Sequence, residues 1–235
     1  MASNSDSPKD RAALAGARMV ENGMVVGLGS GSTAELMVRH LATRVDQEGL
    51  QLVGVPTSTG TAELARGLKI PVRELDEVEE LDLNLDGADE IDPQFCMVKG
   101  RGAALLREKI VACAAAHRVT IITAEKLVER LGRAAPIPIE VSTFGLKHTE
   151  RLIQRLGAST SIRSHADGSL VLTDGGNAIL DCHFLDDIDP AARDDQLQVI
   201  AGVLETGLFI GLCDTLIIGR DQDVEVITTG AERRC

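Results

Sequence analysis

The sequence has no Trp, no Tyr and only four Phe. A core built from it must be aliphatic, and platforms on which nucleic-acid bases could stack are scarce. No apolar run approaches the roughly 20 residues of a membrane-spanning helix. The first residues, MASNSDSPKD, are polar and lack the charged-then-apolar order of a secretory signal. A cytoplasmic protein is therefore expected. No CxxC pair occurs among Cys96, Cys113, Cys182, Cys213 and Cys235, so neither a zinc knuckle nor a redox pair is indicated, and reduced thiols are expected. His40, His117, His148, His165 and His183 are scattered without ligand spacing, which leaves no metal site to expect.

Positive charge is also short. Lys and Arg number 24 against 36 Asp and Glu, a formal net charge of −12. Such a surface repels phosphate backbones and disfavours nucleic-acid binding, while leaving room for a small anion in a local basic pocket. What is present is an ordinary globular composition, 44% hydrophobic and 26% charged over 235 residues, enough for one or two domains.

The first half alternates short apolar runs with helical ones. Ser7-Pro8-Lys9-Asp10 reads as a helix start, with Ser7 as N-cap and Pro8 in the first turn. Strands are expected at 24–28, 52–55, 72–75, 81–85, 97–98 and 119–123, with helices near 8–20, 33–45, 61–67 and 103–117. This pattern argues for βαβ units and a parallel sheet. After Gly132 it changes. An extended PIPIEV run, a helix at 143–156, runs at 161–163 and 170–172 around Asp167-Gly168, a TDGGN turn, a run at 178–184 and a helix at 191–204 read as a small α+β unit. Three short runs, 207–211, 215–218 and 224–227, would return to the first domain. The expected division is 1–131 with 206–235, and 132–205.

Four segments could carry chemistry. Gly29-Ser30-Gly31-Ser32-Thr33 joins a buried strand to a helix, where glycines, amides and hydroxyls suit a phosphate. The third glycine of a dinucleotide fingerprint is Ser32 here, no acid ends the next strand, and no Walker lysine follows. The segment reads as a monophosphate site or a plain Gly/Ser turn. Asp86-Gly87-Ala88-Asp89 places two carboxylates after an apolar run, at the end of a parallel strand that faces the binding crevice, unless they are only solvated acids. Lys99-Gly100-Arg101-Gly102 offers two cations for an oxyanion or phosphate, or is only a basic turn. The fourth segment is the helix bearing Arg107-Glu108-Lys109. Around Glu108 lie Ala104, Leu105, Val111, Ala112 and Ala115, and the far side carries Leu106, Ile110 and Cys113. A helix apolar on both sides is expected to be buried on both sides. Glu108 then sits in a desolvated place, as a candidate general base or a buried ion-pair member.

Together the stretches VGLGSGSTA, LDGADEID, VKGRGAALLREKI, TAEKLVERLG, PIPIEV and TDGGNAILD resemble ribose-5-phosphate isomerases of the A type, in the same order and over about residues 9–230. The resemblance implies a Rossmann-like α/β domain with a smaller α+β (ferredoxin-like) domain inserted toward the C-terminal half. It implies interconversion of D-ribose 5-phosphate and D-ribulose 5-phosphate, in the non-oxidative pentose phosphate pathway, without metal, nucleotide or other cofactor. It implies Glu108 as the proton-transferring glutamate, Asp86 and Asp89 as assisting acids, and Lys99 as the oxyanion stabiliser. Substrate contacts are implied at Lys9, Ser30, Gly31, Ser32, Thr33, Asp86, Gly87, Ala88, Asp89, Lys99, Gly100, Arg101, Gly102 and Lys126. It implies a homodimer or tetramer with a small sugar phosphate as partner, and neither nucleic acid nor membrane. The loop PTSTGTAELA and the tail Glu232-Arg233-Arg234-Cys235 depart from the pattern, and neither is expected to touch the base or the oxyanion groups. Three rival readings are a hexosamine-phosphate isomerase or deaminase, a non-catalytic sugar-phosphate sensor, and an NAD oxidoreductase.

Overall fold

The computed structural model describes residues 7–187 and 189–229. Along the chain its elements are α1 (Pro8–Arg18), β1 (Val25–Leu28), α2 (Ser32–Glu48), β2 (Val53–Pro56), α3 (Thr59–Gly67), β3 (Leu81–Gly87), β4 (Glu90–Ile91), β5 (Met97–Val98), α4 (Leu105–Ala114) and β6 (Ala115–Thr123). They continue as β7 (Ile137–Val141), α5 (Leu146–Gln154), β8 (Ala158–Ile162), β9 (Ala178–Phe184), α6 (Pro190–Gln198), β10 (Val203–Thr206), β11 (Leu208–Phe209), β12 (Thr215–Gly219) and β13 (Val224–Thr228). The chain divides into two units: Met1–Ala88, Arg107–Leu127 and Gly211–Cys235 form one, Asp89–Leu106 and Val128–Ile210 the other.

The first unit is built on a six-stranded sheet of order β13-β12-β6-β3-β1-β2, parallel throughout except for the edge strand β13. It is a Rossmann-like α/β arrangement. Helix α1 starts as its sequence dictates: the Ser7 side chain accepts from the Asp10 amide, and Pro8 occupies the first turn. Its buried face is Ala12, Ala13, Gly16 and Ala17, small enough to bring the helix hard against the strands. A Cβ on Gly16 would lie 2.4 Å from Ile121 Cδ1, and one on Gly219 1.9 Å from the Pro8 carbonyl oxygen. The core between helices and sheet includes Val26, Leu28, Leu83, Leu85, Ile121, Met37 and Leu41, and every buried member is Ala, Val, Leu, Ile or Met. A side chain with no exposure, such as Leu85 or Leu28, contributes about 1.5–3 kcal/mol by its burial. The chain leaves β1 through α2 to β2 on one side, whereas β3 lies on the other side of β1. This reversal makes the carboxyl ends of β1 and β3 the topological switch point, where open α/β sheets hold their ligands.

The second unit has a four-stranded antiparallel sheet, order β10-β7-β9-β8, and a three-stranded one, order β11-β5-β4. Its core gathers Ile139, Val141, Ile153, Leu180, Cys182 and Leu197. Asp189 caps α6 by accepting from the Ala191 and Ala192 amides, with Pro190 in the first turn.

Several expectations are corrected. Residues 89–106 group with the second unit because β4 and β5 pair with each other and with β11. The run 72–75 forms only an isolated bridge, Gly54 to Val72, before a 3-10 turn at Leu75–Glu77. Helix α4 stops at Ala114 and β6 begins at once, so Ala115 pairs opposite Leu81 and His117 opposite Leu83 on a strand. Helix α5 begins only at Leu146, since Gly145 takes a left-handed φ of 73°. The expected helix 191–204 ends at Gln198, and Val203–Thr206 pairs with β7 instead. The 170–172 run makes isolated bridges rather than a strand. Cys113 is disulfide-bonded, which corrects the expectation of reduced thiols throughout, while Cys96, Cys182 and Cys213 are free. The tail 232–235, with Cys235, lies outside the described residues.

Candidate active site

In the first unit the loop after β1 is clamped to the end of β3. The Gly29 amide donates to the Leu85 carbonyl at 2.9 Å, and the Ser30 amide to Asp86 Oδ1 at 3.2 Å. Asp86 Oδ1 also accepts from the Gly87 amide at 2.7 Å. A Cβ on Gly29 would fall 2.1 Å from Asp86 Oδ1 and 2.6 Å from its Cβ, so only glycine permits this approach. Gly31, at φ 90°, is the N-cap of α2 and makes no side-chain cap bond. No side chain caps the first amides of this 17-residue helix, which begin at Ser32 and Thr33, an arrangement that favours an anion. Thr33 lies against Gly87.

A second loop joins this one. Ser30 Oγ is 2.8 Å from Thr57 Oγ1, 2.7 Å from Ser58 Oγ and 3.2 Å from Thr61 Oγ1. Thr57 in turn donates to the Leu28 carbonyl and Thr61 to the Gly29 carbonyl. Ser58 is the N-cap of α3. The TSTG loop thus meets the Ser30 loop because β2 lies beside β1. Its signal in the sequence was a run of hydroxyls at the carboxyl end of a strand next to a helix start. Lys9 Nζ reaches Ser32 Oγ at 3.1 Å, which brings the N-terminal lysine to the same loop. Lys126 closes the 3-10 turn after β6. The neighbouring Glu125 carboxyl is held below its ordinary value, first by the Thr123 hydroxyl at 2.5 Å and further by the charges of Lys126 and Lys9.

Glu108 lies on α4 and is 5% exposed; Asp86 is 4% exposed. Helix α4 covers the sheet at β1, where a Cβ on Gly27 would lie 2.7 Å from Val111 Cγ1 and 2.5 Å from Asn84 Oδ1. Strand periodicity puts Asp86 on the face that Asn84 shares with α4. Because α4 runs back from β3 to the parallel strand β6, Glu108, in its first turn, stands at the carboxyl end of the sheet with Asp86. The flank of Glu108 is apolar as expected, with Ala104, Leu105, Val111, Ala112 and Ala115 all buried. The far side is not buried: Ile110 is 48% exposed and Cys113 is exposed. Leu106 on that side is half-buried, so the apolar cover of Glu108 comes chiefly from its own face.

In the second unit the KGRG loop follows β5. The buried Lys99 is tied by its amide to the Gly207 carbonyl at 2.9 Å, and its ammonium lies 5.5 Å from the centre of the Phe209 ring. Gly100 takes φ 112°, and Ala103 is left-handed at φ 55°. Asp89 accepts from the Arg101 amide at 3.0 Å and donates its own amide to the Val98 carbonyl. Asp89 therefore holds the loop that carries Lys99 and Arg101. The Arg101 and Gly102 positions are exposed. Ala88 ends the first unit's segment, next to Asp89 in the second.

Among the described residues no cluster of three or more His, Cys, Asp or Glu could hold a metal ion. No described helix is long and apolar enough to cross a membrane.

A glycine–serine loop and two buried carboxylates at the switch point of a parallel sheet define an α/β protein of the kind that holds a small anionic ligand at its strand ends. The model of ribose 5-phosphate isomerase A (phosphoriboisomerase A) matches residues 53–223. The ribose-5-phosphate isomerase A of Roseiflexus castenholzii is 48% identical over 226 residues, covering 95% of this chain and 97% of the relative. That of Cereibacter sphaeroides is 49% identical over 239 residues, covering 97% and 95%. The structure of ribose 5-phosphate isomerase A from Methanocaldococcus jannaschii superposes with a TM-score of 0.90 at 35% identity, over 97% of this chain and 100% of that one. A D-ribose-5-phosphate isomerase in complex with phospho-erythronic acid gives 0.91 at 35% identity, over 94% and 98%. The chain belongs to the ribose 5-phosphate isomerase A family.

Proposed function

We propose that this chain interconverts D-ribose 5-phosphate and D-ribulose 5-phosphate, with Glu108 as the base. The observation that carries the assignment of the base is a buried carboxylate in the first turn of α4, at the carboxyl end of the sheet, in a member of this family. Removal of a proton beside a carbonyl needs a positioned base and a stabilised developing oxyanion. Glu108 takes the proton from C2 of the open-chain aldose, giving an enediolate, and returns it to C1. Asp86, fixed by the Ser30 and Gly87 amides, assists ring opening and the proton shift from O2 to O1. Lys99 stabilises the oxyanion. Ser30, Gly31, Ser32 and Thr33, with Lys9 and Lys126, bind the sugar phosphate, whose binding energy orients a small polar substrate. The sensor reading has no support in relatives such as those of Roseiflexus castenholzii and Cereibacter sphaeroides, which are named as isomerases. The second unit is read as ferredoxin-like, supported by its β7-α5-β8-β9-α6-β10 order with β10 and β7 side by side. A homodimer or tetramer in the cytoplasm completes the proposal; light scattering and cell fractionation test these two points.

The test of the reaction is NMR of ribose 5-phosphate in heavy water with EDTA and no nucleotide. Ribulose 5-phosphate carrying solvent deuterium at C1 is expected. Glu108→Gln should abolish both product and exchange while phospho-erythronic acid still binds. Wild-type turnover retained by Glu108→Gln overturns the assigned base. Binding without turnover in the wild type overturns the isomerase reading.

A further inference from the structure

We propose that Arg163, backed by Asp181, is a positioning residue for the Lys99 loop; this rests on the isomerase reading above. Arg163 follows β8, and Asp181 lies on β9. The guanidinium Nε and Nη2 bind the two Asp181 oxygens at 2.9 and 2.5 Å in a fork. The remaining nitrogen, Nη1, donates to two successive carbonyls of the loop, Gly100 at 2.7 Å and Arg101 at 3.0 Å. The two side chains are only 17% and 16% exposed, so the charge-assisted bonds are sheltered from water.

The placement matters because the loop's backbone is unusual. Gly100 and Ala103 both sit at left-handed φ, and the Ala103 amide donates to the Gly100 carbonyl. Asp89 grips the loop by the Arg101 amide, and Arg163 grips it by the carbonyls on either side of Arg101. Peptide planarity then fixes two planes: the Gly102 N–H points opposite to the Arg101 carbonyl that Arg163 holds. The direction of that amide is thereby set from the small sheet, and the Gly100 carbonyl, on the residue next to Lys99, is anchored with it. Lysine cannot replace this arginine, since an ammonium is a point donor that can serve Asp181 or the carbonyls but has no fork to serve both.

The test measures kcat and KM for ribose 5-phosphate in Arg163→Lys and Asp181→Asn, and then Arg163→Lys in a Lys99→Ala background. Displacement of a reacting group by about 1 Å costs on the order of 100-fold. Arg163→Lys should therefore lower kcat 10- to 100-fold with KM changed less than threefold, because the phosphate loop belongs to the other unit. Asp181→Asn should move kcat the same way by less, and it covers the case in which Arg163→Lys does not fold. In the Lys99→Ala background the same Arg163 change should cost less than threefold, because its effect passes through Lys99. Unchanged kcat with a lowered Tm, or a full additive loss in the double variant, overturns the proposal. An inert wild-type enzyme instead overturns the isomerase reading and is seen before any variant is made.

Discussion

The tightest contact at the site predicts opposite outcomes for one chemical change made at two glycines. Gly29→Ala puts a Cβ 2.1 Å from Asp86 Oδ1, 2.2 Å from Cγ and 2.6 Å from Cβ. A new rotamer could move the first two atoms, but no rotamer moves the Asp86 Cβ. The β1 loop and β3 must separate by about 1 Å to reach an ordinary contact distance. The Gly29–Leu85 backbone bond, 2.9 Å long, and the Ser30 amide bond to Asp86, 3.2 Å, then fail together. Overpacking of about 1–3 kcal/mol and about 1 kcal/mol for the neutral hydrogen bond give a loss of about 3 kcal/mol. For a chain of this size that is a fall in Tm of about 6–12 °C. Displacement of Asp86 by the same 1 Å should cost on the order of 100-fold in kcat. Gly67→Ala, on α3 with nothing within 4 Å of the new Cβ, should stabilise by about 0.5–1 kcal/mol and leave kcat alone. Calorimetry and steady-state kinetics on both variants decide the matter. A Gly29→Ala enzyme with wild-type Tm and kcat would refute the clamp on Asp86.

Lys9→Ala should raise KM for ribose 5-phosphate about 10-fold with kcat nearly unchanged, as expected for a group that binds ground state and transition state alike; a kcat loss with constant KM would oppose this. Burial works to raise Asp214, but hydrogen bonds from the side chain and amide of Arg118, with its charge, outweigh it and hold the carboxyl below its ordinary value. The folded-state value is depressed, so the stabilisation is complete above about pH 4, the unfolded value, and is lost as pH falls through the folded one. Asp214→Ala, which strands the 1%-exposed Arg118, should cost about 3–5 kcal/mol at pH 7 and progressively less below pH 4, read by denaturant unfolding. Burial raises the Cys213 thiol to about 11 and pushes Cys182 up further; at pH 8 a thiol reagent on native protein should label neither, and peptide mapping checks this.

The parallel sheet was legible because each βαβ passage leaves a local mark. Ser7 caps α1, Pro8 opens it, and Gly27 to Thr33 turns from strand to helix. Glu108 was also legible, since helical periodicity places its apolar neighbours without any knowledge of the fold. Its far side was misread because periodicity shows which residues share a face but not whether another element covers it; Ile110 stands in solvent. Contacts between distant segments left no mark. The meeting of Ser30 with Thr57 and Thr61 depends on β2 lying beside β1, and the grip of Arg163 on the Lys99 loop spans more than sixty residues of chain. The short strand β10 is not legible in the sequence because its partner, β7, supplies the pairing that its own residues do not announce. The placement of 89–106 likewise depends on β11, more than a hundred residues further on.

The chain passes from one unit to the other at Ala88–Asp89, Leu106–Arg107, Leu127–Val128 and Ile210–Gly211. Neither unit is a continuous stretch of gene, so no single truncation, fusion or recombination event can deliver one without the other. Glu108, on a segment of the first, and Lys99, on a segment of the second, are thus inherited together. Lys99 and Glu108 stand nine residues apart, on either side of the Leu106–Arg107 crossing, so an in-frame exchange that spans both would carry them together.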